Sequence, residues 1–192
     1  MQSNETIFWL QQGEERLRVL MALFQPTTAQ QLASRLGKSL RSISEHIRQL
    51  RVYRVLTCLN PTAHQSRLYW LTDEGKSCRD LLAGIYNTDI PSAFPTVDWD
   101  VYGDLCFRHR HAVLLALKGR MRPPQVKKSA LAHNSRLRMS IDNCREVLYW
   151  MRNRGVVKAV RPRAEYFPYY ELTGVGRSCQ SLLRQAMMTN VA

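Results

Sequence analysis

Leu71-Thr-Asp-Glu-Gly-Lys-Ser-Cys-Arg-Asp-Leu-Leu82 returns as Leu172-Thr-Gly-Val-Gly-Arg-Ser-Cys-Gln-Ser-Leu-Leu183, with seven of twelve positions identical at an offset of 101 residues. Upstream, Val19-Leu-Met-Ala-Leu23 pairs with Val113-Leu-Leu-Ala-Leu117 at an offset of 94, so the second copy carries about seven extra residues in between. Between these segments the 101-residue offset also relates two apolar stripes at helical spacing. They are Leu40, Ile43, Ile47 and Leu50, and Ile141, Cys144, Leu148 and Met151. The sequence therefore predicts a duplicated domain.

Each copy has the pattern helix, helix, helix, β-hairpin, helix. In the first copy Gln25-Pro26 ends one predicted helix, Thr27 or Thr28 caps the next, and Gly37-Lys38 makes the turn before a third helix capped by Ser39. This is the order of a winged helix-turn-helix domain. The predicted fold class is α+β, predominantly α, with two such domains in tandem. We place the first domain and a leader helix at 1–86, a linker at 87–106 and the second domain at 107–192.

The positive charge is concentrated in the second copy. Residues 1–107 hold 11 Lys and Arg against 11 Asp and Glu, whereas residues 108–192 hold 17 against 4, which accounts for the net charge of +13. A field of this sign attracts nucleic acid or an anionic membrane surface. No run of 18 apolar residues is present, so we predict no membrane span.

Motifs for catalysis, metals and cofactors are missing from the sequence. It contains no Gly-rich phosphate loop, nucleophile elbow or H-E-x-x-H motif, so we predict that the protein is not an enzyme. The five cysteines form no C-x-x-C pair, and Cys78 and Cys179 are repeat equivalents expected in the core. Cys106, His109 and His111 do not share one helical face and have basic neighbours, so we predict no metal and no cofactor.

Two stretches of the first copy resemble known regulators. Gln31-Leu-Ala-Ser-Arg-Leu-Gly-Lys-Ser-Leu-Arg-Ser-Ile-Ser-Glu-His-Ile-Arg-Gln-Leu50 is similar to the helix-turn-helix of ArsR- and MarR-type transcriptional regulators. Tyr69-Trp-Leu-Thr-Asp-Glu-Gly75 resembles the stretch by which MarR- and PadR-type wings enter their next helix. The second copy keeps Tyr170-Glu-Leu-Thr-Gly-Val-Gly176 but lacks the L-A-x-x-L-G motif. The resemblance implies DNA-binding winged helices.

In a helix-turn-helix the third helix enters the major groove and its outward residues meet base edges or phosphates. We therefore place recognition helices at about 39–51 and 140–153 and wings at about 60–67 and 160–168. Arg35 would also lie near phosphates. The predicted DNA contacts in the first copy are Lys38, Ser39, Arg41, Ser42, Ser44, Arg48, Arg51 and Arg67. Those in the second copy are Arg138, Asn143, Arg145, Arg152, Arg161 and Arg163.

The predicted function is sequence-specific binding of double-stranded DNA in transcription regulation, in the cytoplasm and associated with the nucleoid. One alternative is a plasmid- or phage-type replication initiator that binds origin DNA. Another is a tandem winged-helix scaffold for protein partners, against which the charge of +13 counts. Ile7, Phe8, Trp9 and Leu10 either pack on their own repeat or pair two chains, and the sequence favours the homodimer.

Overall fold

The computed structural model of the chain describes residues 2–89, 95–134, 136–160 and 168–188, with side chains described from Glu5 to Met187 within these ranges. Two compact units divide the chain: Met1–Phe94 with Ala186–Ala192, and Pro95–Gln185. The secondary structure is α+β and mostly helical, with small antiparallel sheets, which agrees with the coarse fold class expected from the sequence.

The first unit begins with four helices and one short strand. They are α1 Gln2–Gln11, α2 Glu14–Met21, β1 Thr27–Thr28, α3 Ala29–Leu36 and α4 Leu40–Val52. The unit continues with β2 Leu56–Cys58, β3 Leu68–Leu71 and α5 Asp73–Tyr86. The strands form an antiparallel sheet in the order β1-β3-β2, with Thr27 opposite Tyr69 and Leu56 opposite Leu71.

Helix boundaries in the first unit follow from local capping. The Thr28 hydroxyl accepts from the Gln31 N–H at 3.2 Å, and the Gln31 side chain accepts in return from the Thr28 N–H at 2.9 Å. Gly37 ends α3 with φ +62°, a left-handed conformation that glycine adopts without steric cost. These caps fix the turn between α3 and α4.

The second unit repeats this order of elements. It contains α6 Trp99–Leu105, α7 Arg108–Ala116, α8 Pro123–His133, α9 Ile141–Asn153, β4 Val157–Val160, β5 Tyr169–Leu172 and α10 Gly174–Met188. Strands β4 and β5 pair antiparallel, with Val157 opposite Leu172. An isolated bridge joins Met121 to Tyr170, the positions that correspond to Thr27 and Tyr69 at the offsets of 94 and 101.

The predicted linker at 87–106 is shorter in the structure because part of it folds. Asp98 caps α6 by accepting from the N–H groups of Asp100 and Val101 at 2.9 and 3.1 Å. Tyr102 and Leu105 are fully buried in the second unit. Their apolar burial holds α6 on this unit rather than in an extended connection.

The leader helix α1 packs on its own unit. Leu10 is fully buried in the core of the first unit, and Ile7 and Trp9 pack against that core. The Trp9 and Tyr53 rings stack with centroids 3.8 Å apart. Phe8 is 63% exposed. Of the four apolar side chains at 7–10 that were expected to pair two chains, it alone is fully available for contact with a second chain. The basis for predicting a homodimer is therefore much reduced.

Candidate nucleic-acid interface

Helix α4 presents a basic and polar face beside an apolar one. Ser39 caps its N-terminus by accepting from the Ser42 N–H at 3.2 Å. Ile43 and Leu50 are fully buried and Ile47 nearly so, as expected from their spacing. Leu40, predicted to face the core, is instead 47% exposed because it occupies the first position of the helix, before the stripe reaches the core. The predicted contacts Arg41, Ser44, Arg48 and Arg51 are all exposed.

The Glu45 carboxylate accepts hydrogen bonds from two side chains in the middle of this face. Arg48 donates to Glu45 from Nε at 3.0 Å and from a terminal nitrogen at 2.6 Å, and the Gln49 amide donates to the same carboxylate at 3.0 Å. These hydrogen bonds, with that of Arg48 first, lower the pKa of Glu45 to about 2. Glu45 therefore stays charged and would compete with any anionic ligand for the Arg48 guanidinium.

Arg41 and Arg51 lie at the two ends of the same helix. Within the described ranges, neither guanidinium has an ion-pair or hydrogen-bond partner. Arg guanidinium groups bind phosphate or guanine edges bidentately. These two arginines are therefore the side chains of α4 best placed to meet an anionic ligand without first giving up a partner within the protein.

Two further predicted phosphate contacts have structural partners. The Lys38 ammonium lies 2.9 Å from the Glu15 carboxylate, and this contact lowers the pKa of Glu15. Arg35 is only 7% exposed, donates to the Ala22 carbonyl and lies over the Phe24 ring at 4.1 Å. The expectation that Arg35 lies near phosphates was wrong, since its side chain holds α3 to the preceding segment.

The loop between β2 and β3 is shaped by Asn60, which is 1% exposed. Its amide oxygen accepts from the Leu68 N–H at 2.6 Å, and its amide nitrogen donates to the Ser66 carbonyl at 3.3 Å. Arg67 is exposed at the end of this loop and donates from Nε to the Ala63 carbonyl at 3.0 Å. The loop is thus held in one conformation with a cation beside it. The sequence did not single out Asn60.

Helix α9 has the same construction and a different surface. Ser140 accepts from the Asn143 N–H at 3.0 Å, and Cys144, Leu148 and Met151 are fully buried. Arg145 pairs with Asp142 at 2.9 Å on the exposed face. Ahead of the helix, Arg138 is exposed, and its carbonyl lies 2.9 Å from His109 Nε2.

The C-terminal half of α9 carries an aromatic and arginine cluster. The Arg152 guanidinium lies 4.8 Å from the ring centroid of Tyr149, which is 55% exposed. The Arg110 and Arg154 guanidinium groups lie 4.1 and 5.7 Å from the Trp150 ring. Of these residues only Arg152 was predicted as a DNA contact. Only the contact between Arg110 and Trp150 joins residues far apart in sequence, so no local pattern revealed it; the other two pairs lie three and four residues apart at the C-terminal end of α9.

Arg161 and Arg163, predicted at the tip of the second wing, lie outside the described residues. At the base of that hairpin Glu171 accepts from Lys158 at 2.9 Å and from Arg120 at 2.8 Å. The hydrogen bond from Lys158, followed by that from Arg120, lowers the pKa of Glu171. The carboxylate thus neutralises part of the cationic surface at the base of the hairpin.

Comparisons of the chain with protein families, characterised proteins and solved structures found no match. In the described part of the chain no helix is long and apolar enough to cross a membrane. What the site offers is two capped helices that expose Arg, Ser and aromatic groups, each followed by a strand pair with basic residues at its base or loop. The predicted contact Asn143 is half-buried and its amide oxygen is buried.

Proposed function

We propose that the protein binds double-stranded DNA in a sequence-specific manner as a transcriptional regulator, through two winged helix-turn-helix domains. The observation that carries the proposal is the exposed face of α4, which places Arg41, Arg48 and Arg51 on a helix whose opposite face is buried. A helix of this kind fits the major groove of B-DNA, about 12 Å wide, with its outward side chains at base edges. The exposed loop that ends at Arg67 supplies the wing.

The order of the elements supports this assignment. A tight turn at Gly37 joins α3 to α4, and the strand pair and a closing helix follow. In helix-turn-helix proteins the second helix of the motif reads bases while the first crosses the backbone. By this assignment α4 and α9 are the recognition helices. Ser39 and Ser140 at their N-termini would lie close to phosphates, which helix N-termini favour.

The second unit is suited to sequence-independent binding of DNA rather than to recognition of bases. Its surface carries most of the net charge, Arg138 lies just ahead of α9, and Arg152 lies at the C-terminal end of that helix. The exposed Tyr149 ring adds an apolar surface that packs against sugars or thymine methyl groups. Charge of this kind gives affinity for any sequence, whereas α4 gives discrimination.

Salt dependence is the direct test. We expect the protein to bind a random duplex of about 30 bp in fluorescence anisotropy and to lose roughly 10³-fold in affinity between about 50 and 200 mM salt, as for six phosphate contacts. Selection from a randomised duplex library should then return an enriched sequence. An uncharged duplex analogue, in which methylphosphonates replace phosphates, serves as the control for contacts that do not involve charge.

Failure to bind the duplex at low salt would contradict the proposal and favour a scaffold for protein partners. Binding without any enriched sequence would contradict the regulatory assignment while keeping general DNA binding. A replication initiator would bind DNA through the same surfaces, but its selected sequence would occur as repeats at an origin rather than beside a promoter. The selection therefore also separates the two DNA-binding functions.

Glu45→Gln tests whether the carboxylate on α4 limits affinity. Because the pKa of Glu45 is about 2, the group remains an anion at every pH suitable for the assay, and only substitution removes its charge. We expect random-duplex affinity to rise roughly tenfold, since a negative charge is removed and Arg48 is released. Glu74→Gln, on α5, removes the same charge elsewhere in the unit. Equal effects of the two substitutions would show that only net charge matters.

A further inference from the structure

The second unit contains a basic cleft that the DNA-binding proposal does not use. It is an open cleft of about 790 Å³ bordered by one side of α10 from Gly174 to Arg184, by the loop after α7 and by the base of the β4–β5 pair. Its lining includes four cations, Lys118, Lys158, Arg177 and Arg184, and one carboxylate, Glu171. None of these residues lies on the candidate recognition helix α9.

The corresponding positions of the first unit are filled. Phe24 stands where Lys118 is and is 9% exposed, and Trp70 stands where Glu171 is. Arg79, at the position of Gln180, donates to the Leu23 carbonyl at 2.7 Å and lies 5.7 Å from the Trp70 ring centroid. Two aromatic rings and a buried guanidinium thus occupy in one unit the space that the other leaves open.

Some of the replacements in the second unit remove bulk, and others add positive charge. Gly119 stands in place of Gln25, and Gly174 in place of Asp73; a Cβ atom at either glycine would meet no other atom within 4 Å. Lys158 and Arg184 replace Thr57 and Ala83. Gln180 keeps the hydrogen bond to the α7 end, donating to the Leu117 carbonyl at 2.9 Å. The fold is retained while the cleft becomes cationic.

We propose that this cleft binds a small organic polyphosphate, of the class of nucleoside di- and triphosphates, as a ligand separate from the DNA. The four cations exceed the single carboxylate by three charges, which matches the charge of a diphosphate group. The volume lies within the range of about 300–1,000 Å³ found for small-molecule sites and exceeds what phosphate alone needs.

Different residues of the cleft would bind the phosphate groups and the organic group of the ligand. Within the described ranges Lys118 and Arg184 have no ion-pair or hydrogen-bond partner, so both are available to phosphate oxygens. Lys158 is already held by Glu171 at 2.9 Å, and Arg177 donates to the Leu172 carbonyl at 3.0 Å. Leu172, which is half-buried, supplies the apolar surface on which the organic group packs. Lys118 and Arg184 therefore contribute most to binding.

Isothermal titration with ADP, without metal ions and without DNA, tests the proposal. We expect ADP to bind the full chain, inorganic pyrophosphate to bind more weakly because it lacks the organic group, and Lys118→Ala/Arg184→Ala to lose roughly 10- to 100-fold in affinity. Both side chains are exposed and unpartnered within the described residues, so their removal leaves the fold intact. Lys128→Ala/Arg136→Ala removes two exposed charges of the same unit outside the cleft and should bind ADP like the parent chain.

Gly174→Asp gives a second variant that keeps the fold. It introduces the residue of the first unit, and a carboxylate is favourable in the first turn of a helix. We expect the thermal stability to hold and ADP binding to be abolished through repulsion. Absence of ADP binding, or equal binding by the cleft and control variants, would overturn the proposal. Loss of duplex affinity in Lys118→Ala/Arg184→Ala without any ADP binding would instead make the cleft part of the DNA surface.

Discussion

Gly75→Ala is expected to destabilise the first unit by about 3 kcal/mol or more, at the upper end of what overpacking costs. Gly75 lies in the first turn of α5 against the chain that follows α4. A Cβ atom built at this position would overlap the Val55 carbonyl oxygen, which is backbone and cannot rotate away. The same carbonyl accepts from the Thr72 N–H at 3.0 Å, so moving it would break the hydrogen bond between the segment after α4 and the cap residue of α5.

The second unit offers the same test and a matched control. A Cβ atom on Gly176 would overlap the Val156 carbonyl oxygen in the same way, so Gly176→Ala should be equally harmful. Gly84 lies within α5, where a Cβ atom meets nothing within 4 Å, and Gly84→Ala should stabilise by up to about 1 kcal/mol. Urea unfolding followed by circular dichroism measures all three. A parent-like midpoint for Gly75→Ala would contradict the close approach.

This close approach explains why the two copies share their L-T-x-x-G segment. Thr72 Oγ donates to the Arg54 carbonyl at 2.6 Å and accepts from the Gly75 N–H at 3.0 Å. Thr173 donates to the Gly155 carbonyl at 2.6 Å and accepts from the Gly176 N–H at 3.1 Å. The motif is a cap and a close backbone approach, so its presence determines the fold but carries no information about a ligand.

The order and approximate bounds of the elements could be predicted because they depend on local signals. The third helix was expected from Ser39 to about Arg51, and α4 runs from Leu40 to Val52 with Ser39 as its cap. Capping residues and apolar spacing are properties of a few neighbouring residues and are readable in sequence. The same signals predicted Cys78 and Cys179 in the core, where both are fully buried.

Errors arose where a distant partner determines the environment. Arg35 resembles a surface cation in sequence. In the structure its guanidinium is buried, because it donates to the Ala22 carbonyl and packs on the Phe24 ring. Of the two arrangements left open for the leader, the sequence favoured pairing of two chains over packing on its own repeat, but Leu10 is buried in the core of its own unit. Burial of these side chains depends on tertiary packing, which periodicity within one helix does not report.

The cleft of the second unit was likewise invisible in the sequence. Lys118, Lys158 and Arg184 are far apart along the chain and were counted only as part of the +13 charge. Their convergence requires the α7–α8 loop, a strand and a helix to meet. Comparison of corresponding sequence positions in the two units then shows which residues fill the space in one unit and open it in the other.

Arg41→Ala/Arg51→Ala is expected to weaken binding to duplex DNA by roughly 10- to 100-fold and to reduce the salt slope by about two, one for each arginine that no longer meets a phosphate. These two exposed arginines bracket α4 and make no hydrogen bond or ion pair within the described residues, so their removal should leave the fold unchanged. If one of them reads a base, its substitution should also relax the selected sequence at that position, a change that salt does not reproduce.

Arg18→Ala/Lys76→Ala gives the control for this prediction. It removes two positive charges from the same unit, but from α2 and α5, where Arg18 pairs with Glu14 at 2.8 Å and Lys76 with Asp73 at 2.8 Å. If general attraction to a basic protein produced the affinity, the two double variants would be weakened equally. If α4 lies in the groove, the α4 variant should be weakened far more and should alone lower the salt slope, because counterion release requires charges that reach the phosphates.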